Sequence, residues 1–86
     1  MYYVYILHLK RSSQLYTGST LNLKNRIKQH VSNYVESTKN REPELIHFEV
    51  YKLKSDAQRR EKFLKTTEGK RLLRQQLKDI LYKTGY

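Results

Sequence analysis

The feature that most restricts the fold is an apolar run near the beginning of the chain. Residues 2–9 are almost continuously aromatic, β-branched or leucine. A run of this kind predicts a strand that is covered on both faces. With 86 residues the chain can form only one small domain, and no linker divides it.

Two further strands follow from turn and alternation signals. Residues 10–14 are polar and predict a turn, after which residues 15–18 return as the second strand of a hairpin. Residues 32–44 carry Asn, Ser and Pro and predict a loop. Residues 46–51 alternate with a period of two and predict the third strand.

Three helices are predicted between and after these strands. Asn22 is a candidate N-cap for the first helix, Ser55 begins a capping box for the second, and Thr67 is a candidate N-cap for the third. Helical spacing predicts buried stripes on the first and third helices, formed by Leu23, Ile27, Val31 and Tyr34 and by Leu73, Leu77, Ile80 and Leu81. The order β-β-α-β-α-α predicts an α+β fold with a small three-stranded, mostly antiparallel sheet flanked by helices.

The charge balance indicates the class of partner. Eighteen Lys and Arg against eight Asp and Glu give a net charge of +10. A small body with this charge attracts a polyanion, of which nucleic acid and an anionic membrane are the usual ones. A solvated basic surface without a specific partner is the alternative. No apolar run reaches the roughly 18 residues that a membrane span needs, so we expect a cytoplasmic protein that binds nucleic acid.

Several kinds of chemistry are excluded by residue types that are missing or scattered. The absence of cysteine excludes disulfides, a thiolate zinc site and a cysteine nucleophile. The three histidines have no metal-ligand spacing, and no glycine-rich phosphate loop is present. The eight acidic residues are dispersed, which argues against a two-metal site. Any metal site is expected to hold one ion with one carboxylate and several waters, which suits Mg²⁺.

Two pairs of residues interrupt the pattern expected of a purely structural core. Tyr5 and Tyr16 lie on adjacent strands and can project from one face of the hairpin, although packing alone also explains such tyrosines. Arg26 and His30 are spaced i, i+4 at the border of the apolar stripe of the first helix. A snorkelling arginine with a surface histidine is one explanation. Phosphate binding is the other, because the guanidinium is planar, bidentate and always charged.

Glu61 is the least expected residue on the second helix. It is spaced with Ala57 and Leu64 at i, i+4 and i+7, so a carboxylate occupies a face that its neighbours bury. A buried carboxylate is costly unless it is paired or bound to a metal. A structural ion pair with Arg26, Arg60 or another base and a metal ligand are both consistent with this position.

Taken together, these residues resemble the motifs of the GIY-YIG nuclease family. The first motif retains Tyr5 but lacks the glycine, and the second is residues 16–18. The two tyrosines are 11 residues apart and Arg26 follows 10 residues later, with His30 and Glu61 beyond it in order. The chain is most similar to small stand-alone members of the family, and the resemblance covers essentially its whole length.

The resemblance implies a role for each matching residue. Glu61 would hold a single divalent ion, Mg²⁺ or Mn²⁺, and Arg26 would bind the scissile phosphate. Tyr5 or Tyr16 would deprotonate or position the attacking water, and His30 would assist proton transfer or orient a tyrosine. The resemblance does not decide between the two tyrosines.

Three positions near these motifs complete the comparison with the family pattern. Gly18 is expected to permit a close approach at its strand. The usual asparagine beyond the glutamate falls near Gln76 here, and Ser19 stands where some members carry a basic residue. Both replacements change the polar surroundings that family members provide.

The sequence and the resemblance together predict a metal-dependent endonuclease that hydrolyses phosphodiester bonds, with DNA as the expected substrate. A weak or inactive nucleic-acid-binding module on the same fold is the alternative, and a basic adaptor for an acidic protein is a third possibility. If the protein is bacterial, we expect it at the nucleoid. Phosphate contacts are expected from Arg26 and from the basic residues around the proposed metal helix, Arg59, Lys62 and Lys65.

Overall fold

The computed structural model describes residues 1–86 and contains one antiparallel sheet of three strands. The strands are β1 (Tyr2–Leu9), β2 (Gln14–Thr20) and β3 (Pro43–Tyr51). Their order is β2-β1-β3, and both pairings are antiparallel. The apolar run is therefore the central strand, and both of its faces are covered, as predicted.

Four helices and one short 3₁₀ turn accompany the sheet. The helices are α1 (Leu23–Val31), α2 (Lys54–Leu64), α3 (Thr67–Gln76) and α4 (Lys78–Thr84), and the 3₁₀ turn spans Glu36–Thr38. The predicted α+β class and the order of strands and helices are confirmed, with the last predicted helix divided into two. None of the four helices has the length and apolar character needed to cross a bilayer.

The two faces of β1 carry separate cores, because successive side chains of a strand point to opposite sides. Val4 and Ile6 belong to the larger core, which α2, α3 and α4 cover with Ala57, Leu64 and Leu73, among others. On the opposite face, Tyr5, Leu7 and Leu9 are buried against α1, β2 and β3, with partly buried neighbours Tyr16, Leu23, Ile27 and Leu45. The smaller core is the one that includes a residue of the predicted site.

The apolar stripe predicted for the first helix is wrong in its second half. The N-cap is correct, since the Asn22 side chain accepts from the backbone N–H of Asn25. The helix ends at Val31, however, and the chain leaves it through Asn33 with a positive φ of 64°. Val31 is 61% exposed and Tyr34 is 83% exposed. The helix is too short to carry all four residues onto the sheet.

The predicted starts of the last helices also differ from the structure. α2 begins at Lys54 after Leu53, whose carbonyl accepts from Ala57, so Ser55 lies inside the helix and makes no cap. The N-cap of α3 is Thr66 instead of Thr67, and its hydroxyl accepts from the N–H of Gly69. A Cβ on Gly69 would lie 1.9 Å from the carbonyl oxygen of Phe63, so only glycine permits this close turn.

The third predicted helix is interrupted at Leu77. This residue has φ −103° and ψ 20°, outside the helical region, and it separates α3 from α4. Leu73, Leu77 and Leu81 are nevertheless all buried, while Ile80 is half-buried. Because of this break, both short helices pack against the same core. A single straight helix of the combined length would extend beyond it.

Candidate active site

Tyr5, Tyr16 and His30 form an aromatic cluster beneath α1. The ring centroids of Tyr5 and Tyr16 are 6.3 Å apart, and those of Tyr5 and His30 are 5.5 Å apart. The Tyr16 and His30 centroids lie 5.1 Å apart in an edge-on arrangement. The two tyrosines thus project from one face of the hairpin, as the sequence predicts.

Gly18 makes room for the ring of Tyr5. The two residues are directly opposed in the pairing of β1 with β2. A Cβ on Gly18 would lie 2.5 Å from both Cζ and the hydroxyl oxygen of Tyr5. The ring of Tyr5 therefore requires glycine at position 18. The sequence predicted a close approach at this strand without identifying the group that approaches.

A chain of hydrogen bonds fixes the protonation pattern of the cluster. The Tyr5 hydroxyl lies 2.8 Å from Nε2 of His30, whose Nδ1 lies 2.8 Å from Oγ1 of Thr38. The Thr38 hydroxyl donates to the carbonyl of Val35, at 3.4 Å, so its oxygen accepts from Nδ1–H. Nε2 is then the acceptor and Tyr5 donates to it. Arg26 completes the chain by donating through Nε to the Tyr5 oxygen, at 3.4 Å.

The electrostatics of the cluster agree with a neutral imidazole. Burial, and after it the charge of Arg26, lower the pKa of His30 from 6.5 to about 4. Burial also raises the pKa of the Tyr5 hydroxyl, and the nearby Tyr16 and Glu61 act in the same direction, while the hydrogen bond from Arg26 opposes them. At neutral pH, Tyr5 is therefore a protonated donor and His30 an unprotonated acceptor.

Arg26 lies at the edge of this cluster, between the buried hydroxyl and solvent. Besides its contact with Tyr5, it donates through Nη1 to the side-chain oxygen of Gln29, at 2.9 Å. Its Nη2 makes no hydrogen bond within the chain. The hydrogen bond with Tyr5 is the main cause that raises the pKa of Arg26, so its charge is permanent. Nε and Nη1 are therefore engaged within the chain, and Nη2 is the remaining donor group of the guanidinium.

Glu61 approaches from the other face of the sheet. Its Oε1 accepts from the Ser19 hydroxyl at 2.8 Å, and its Oε2 accepts from Nζ of Lys65 at 3.0 Å. Glu61 lies on the face that Ala57 and Leu64 bury, and its own side chain is 23% exposed. The reason is that α2 meets the sheet beside β2, an edge strand, and Glu61 lies where that edge opens to solvent.

Arg60 serves a separate ion pair and does not neutralise Glu61. It donates to both carboxylate oxygens of Glu49, at 2.9 and 3.1 Å. Burial acts to raise the pKa of Glu49, yet hydrogen bonds from Arg60, Tyr51 and His47 lower it to about 2. This cluster ties α2 to β3 and accounts for Arg60 without any role in a reaction.

The basic residues predicted to contact phosphate are placed unequally. Arg59 donates to Asp56 at 2.9 Å and Lys65 to Glu61, so both charges are partly compensated. Lys62 is exposed and forms no ion pair. Gln76, at the position of the family's asparagine, is exposed at the end of α3 and makes no side-chain hydrogen bond.

Comparison with known proteins identifies the family of the chain. The family model described as the GIY-YIG catalytic domain matches residues 1–75. The chain belongs to the GIY-YIG family. A UPF0213 protein of Clostridium perfringens is 46% identical over 67 residues, which are 76% of this chain and 71% of that protein. A UPF0213 protein of Staphylococcus haemolyticus is 43% identical over 67 residues, 76% of this chain and 80% of that protein. No solved structure matches.

Membership of the GIY-YIG family, a nuclease family, implies a nucleic-acid substrate. The largest groove of the molecule, about 740 Å³ between α1 and β3, is lined by none of the five residues that carry the resemblance. The site therefore has to be sought at the β2 edge, where those residues meet.

A divalent ion of the kind used by GIY-YIG nucleases can be tested against the donors at this edge. No three His, Cys, Asp or Glu side chains converge anywhere in residues 1–86. Glu61 is the one carboxylate beside the cluster, and the Ser19 hydroxyl is its nearest oxygen neighbour. Oxygen donors in small number fit a hard ion such as Mg²⁺, which keeps several of its own waters. The residues present thus fit a single hydrated ion.

The structure adds residues to this GIY-YIG site that the sequence does not single out. Thr38 is completely buried and holds the ring of His30. It lies in a polar loop, where neither periodicity nor a motif marks it. Ser19 is visible in the sequence only as a departure from the family pattern, and its contact with Glu61 spans 42 positions.

Proposed function

We propose that this protein is a metal-dependent endonuclease that hydrolyses phosphodiester bonds in DNA. The observation that carries the proposal is the continuous chain from Arg26 through Tyr5 to His30 beside the carboxylate of Glu61. His30 is buried and held in one tautomer by two hydroxyls, and packing of the core alone does not require such an arrangement. The cytoplasmic location expected from the sequence remains part of this proposal.

Within this site we assign the water-activating position to Tyr16. Tyr5 is 1% exposed, and its hydroxyl is already engaged by His30 and Arg26. Tyr16 is half-buried and its side chain also interacts with Arg26, so its hydroxyl lies beside the phosphate-binding charge and remains accessible to a water or a phosphate oxygen. Tyr5 and His30 then act as positioning residues that hold the cluster and Arg26.

Arg26 supplies the fixed positive charge for the phosphate. Its Nε is bound by Tyr5 and its Nη1 by Gln29, which restricts the rotation of the guanidinium before substrate arrives. A preorganised charge stabilises the transition state without reorganisation at the moment of reaction. The free Nη2 is the group that we expect to meet a phosphate oxygen.

Glu61, with the Ser19 hydroxyl beside it, would hold the divalent ion, Mg²⁺ or Mn²⁺. When bound, such an ion supplies Lewis-acid stabilisation of the phosphate charge. Lys65 must release one carboxylate oxygen for this, and the pair is exposed enough to exchange readily, since Lys65 is 56% exposed. Ser19 orients the carboxylate from β2.

One observation favours the alternative of a weak or inactive binding module on the same fold. Both oxygens of the single carboxylate are already satisfied by Ser19 and Lys65. A protein that binds nucleic acid without cleaving it would show the same arrangement. Metal-dependent cleavage therefore distinguishes the endonuclease from the inactive binding module.

The test is cleavage of labelled DNA in branched, single-stranded and duplex form, with Mg²⁺ or Mn²⁺ and with a chelator. Glu61→Gln is expected to abolish cleavage while leaving the fold and most of the affinity intact. Arg26→Ala is expected to lower the turnover rate by about two or more orders of magnitude. Arg26→Lys is expected to recover only part of the rate, because the planar fork is lost.

Arg71→Ala is a matched control for these variants, since it removes a charge of the same type from an exposed ion pair with Glu68 on α3, away from the site. It is expected to cleave at close to the wild-type rate. Full activity of Glu61→Gln in a preparation free of other nucleases would remove Glu61 from the mechanism. Metal-independent binding without any cleavage would favour the alternative.

A further inference from the structure

A second groove runs along the outer edge of β2, next to the proposed active site. Its volume is about 430 Å³, and Tyr16 is one of its lining residues. Three basic residues line it: Arg41 from the loop before β3, and Lys70 and Arg74 from α3. No acidic residue is among the twelve that line it. None of these three cations was singled out by the sequence.

None of the three cations forms an ion pair within the chain. Lys70 and Arg74 are one helical turn apart and form no ion pair, although Arg59, Lys65 and Arg71 on the neighbouring surfaces all do. Arg41 donates through Nη1 to the neutral side chain of Gln14, at 3.1 Å, which holds it against the hairpin without neutralising it. Three uncompensated charges facing one groove favour a polyanionic ligand.

The groove also carries aromatic and aliphatic surface between these charges. Tyr16 and the 41% exposed Tyr86 lie on it, with leucines at its base. Its volume is of the size that holds a small organic molecule, roughly 300–1,000 Å³. A duplex is too wide to enter it, while a cationic groove with aromatic rings is the arrangement by which proteins bind single strands, with bases stacked on the rings.

We propose that this groove binds an unpaired segment of the nucleic-acid substrate. Arg41, Lys70 and Arg74 contact its phosphates, and Tyr86 stacks on a base. Because Tyr16 lines the groove, packs against Tyr5 and interacts with Arg26, a strand in the groove would reach the proposed active site at Tyr16. The inference rests on the proposed function, since it names the substrate form that would reach that same site: nucleic acid with a single-stranded region.

Binding to the full-length chain in the presence of chelator tests this without any cleavage. The probes are a labelled oligothymidylate of about ten nucleotides, within the span of small single-strand binders, and a duplex of equal length. The single strand is expected to bind about tenfold or more tightly than the duplex. Each of Arg41→Ala, Lys70→Ala and Arg74→Ala should lower the slope of log K against log salt by about 0.7.

Lys52→Ala is the matched control, because Lys52 is exposed, forms no ion pair and follows β3 at the opposite end of the sheet. It removes the same charge and should leave the slope almost unchanged. Lys62→Ala tests the surface that the sequence favoured. Tyr86→Ala should weaken single-strand binding about tenfold, and Tyr86→Phe should restore it because the ring is retained. Thermal unfolding of each variant checks the fold.

Four results would overturn the inference, three of them from the binding measurements themselves. These three are equal binding of single strand and duplex, wild-type slopes in the groove variants, and losses at Lys52 or Lys62 as large as those at Arg74. Competition by polyglutamate as effective as by oligothymidylate would identify an acidic protein surface as the ligand instead, and would also overturn it. Because chelator is present throughout, a failure to cleave DNA contradicts the proposed reaction and leaves these binding results intact.

Discussion

Acidification is expected to remove a large part of the folding stability through one residue, His30. The ring is completely buried and accepts from Tyr5, so its protonation in the folded state costs the Tyr5 hydrogen bond and introduces a buried charge. Burial and the charge of Arg26 accordingly lower its pKa from 6.5 to about 4. The unfolded chain, without these effects, binds the proton first as the pH falls.

The magnitude follows from that difference in pKa. A folded pKa below the unfolded value means that the stabilisation is complete above pH 6.5 and is lost as the pH falls toward 4. At about 1.36 kcal/mol per unit, the loss is about 2 kcal/mol by pH 5 and about 3 kcal/mol by pH 4. A domain of this length has roughly 4–13 kcal/mol in total, so the effect is readily measured.

The assay is urea unfolding of the full chain at a series of pH values from 7 to 4, together with His30→Gln. This variant retains a polar side chain and does not titrate. It is expected to be less stable than wild type at pH 7, and the difference between the two proteins should shrink by about 2–3 kcal/mol as the pH falls. Thr38→Val, which removes the partner of Nδ1, should lower the stability at pH 7 in the same direction.

Parallel curves for wild type and His30→Gln across this range would refute the reasoning, because the titrating group would then lie elsewhere. Nuclear magnetic resonance provides a direct check, since the imidazole resonances of His30 should shift near pH 4. A midpoint near 6.5 would show that the ring is not held neutral by the fold.

Two other predictions concern packing. Gly18→Ala places a methyl group 2.5 Å from Cζ and the hydroxyl oxygen of Tyr5, and we expect a loss of about 1–3 kcal/mol in urea unfolding and a loss of cleavage even where the protein remains folded. His8→Leu should instead raise the melting temperature, by an amount that corresponds to about 1 kcal/mol or more, because His8 is 2% exposed and neither ring nitrogen has a hydrogen-bond partner.

Each packing prediction has a control variant that separates the expected effect from non-specific destabilisation of the fold. Gly69→Ala also creates a steric clash, with the carbonyl of Phe63, but it lies in α3 and should cost stability without a specific effect on cleavage. His8→Ala removes the same unpaired nitrogens and leaves a cavity, so it should destabilise. A destabilising His8→Leu would show that the edge-on contact of the imidazole with Tyr86, at 5.5 Å between ring centroids, outweighs the cost of its unpaired nitrogens.

Much of the fold could be predicted from the sequence because the relevant patterns are local. A continuous apolar run made residues 2–9 the central strand, and alternation placed β3. The helix ends could not be predicted as well. The break at Leu77 and the start of α3 at Thr66 depend on packing against the sheet and on the close turn at Gly69. The periodicity and capping signals of the sequence describe neither of these contacts.

The candidate site divides in the same way. The sequence by itself determined which residue types are available, the spacing of the tyrosines with Arg26 and His30, and hence the family. Only the tertiary structure decided what each side chain contacts. Glu61 binds Ser19 from 42 positions away instead of Arg60, and His30 is held by Thr38 from a loop without any pattern. Periodicity reports which face of an element is buried, whereas hydrogen-bond partners and charge compensation depend on which elements the fold brings together.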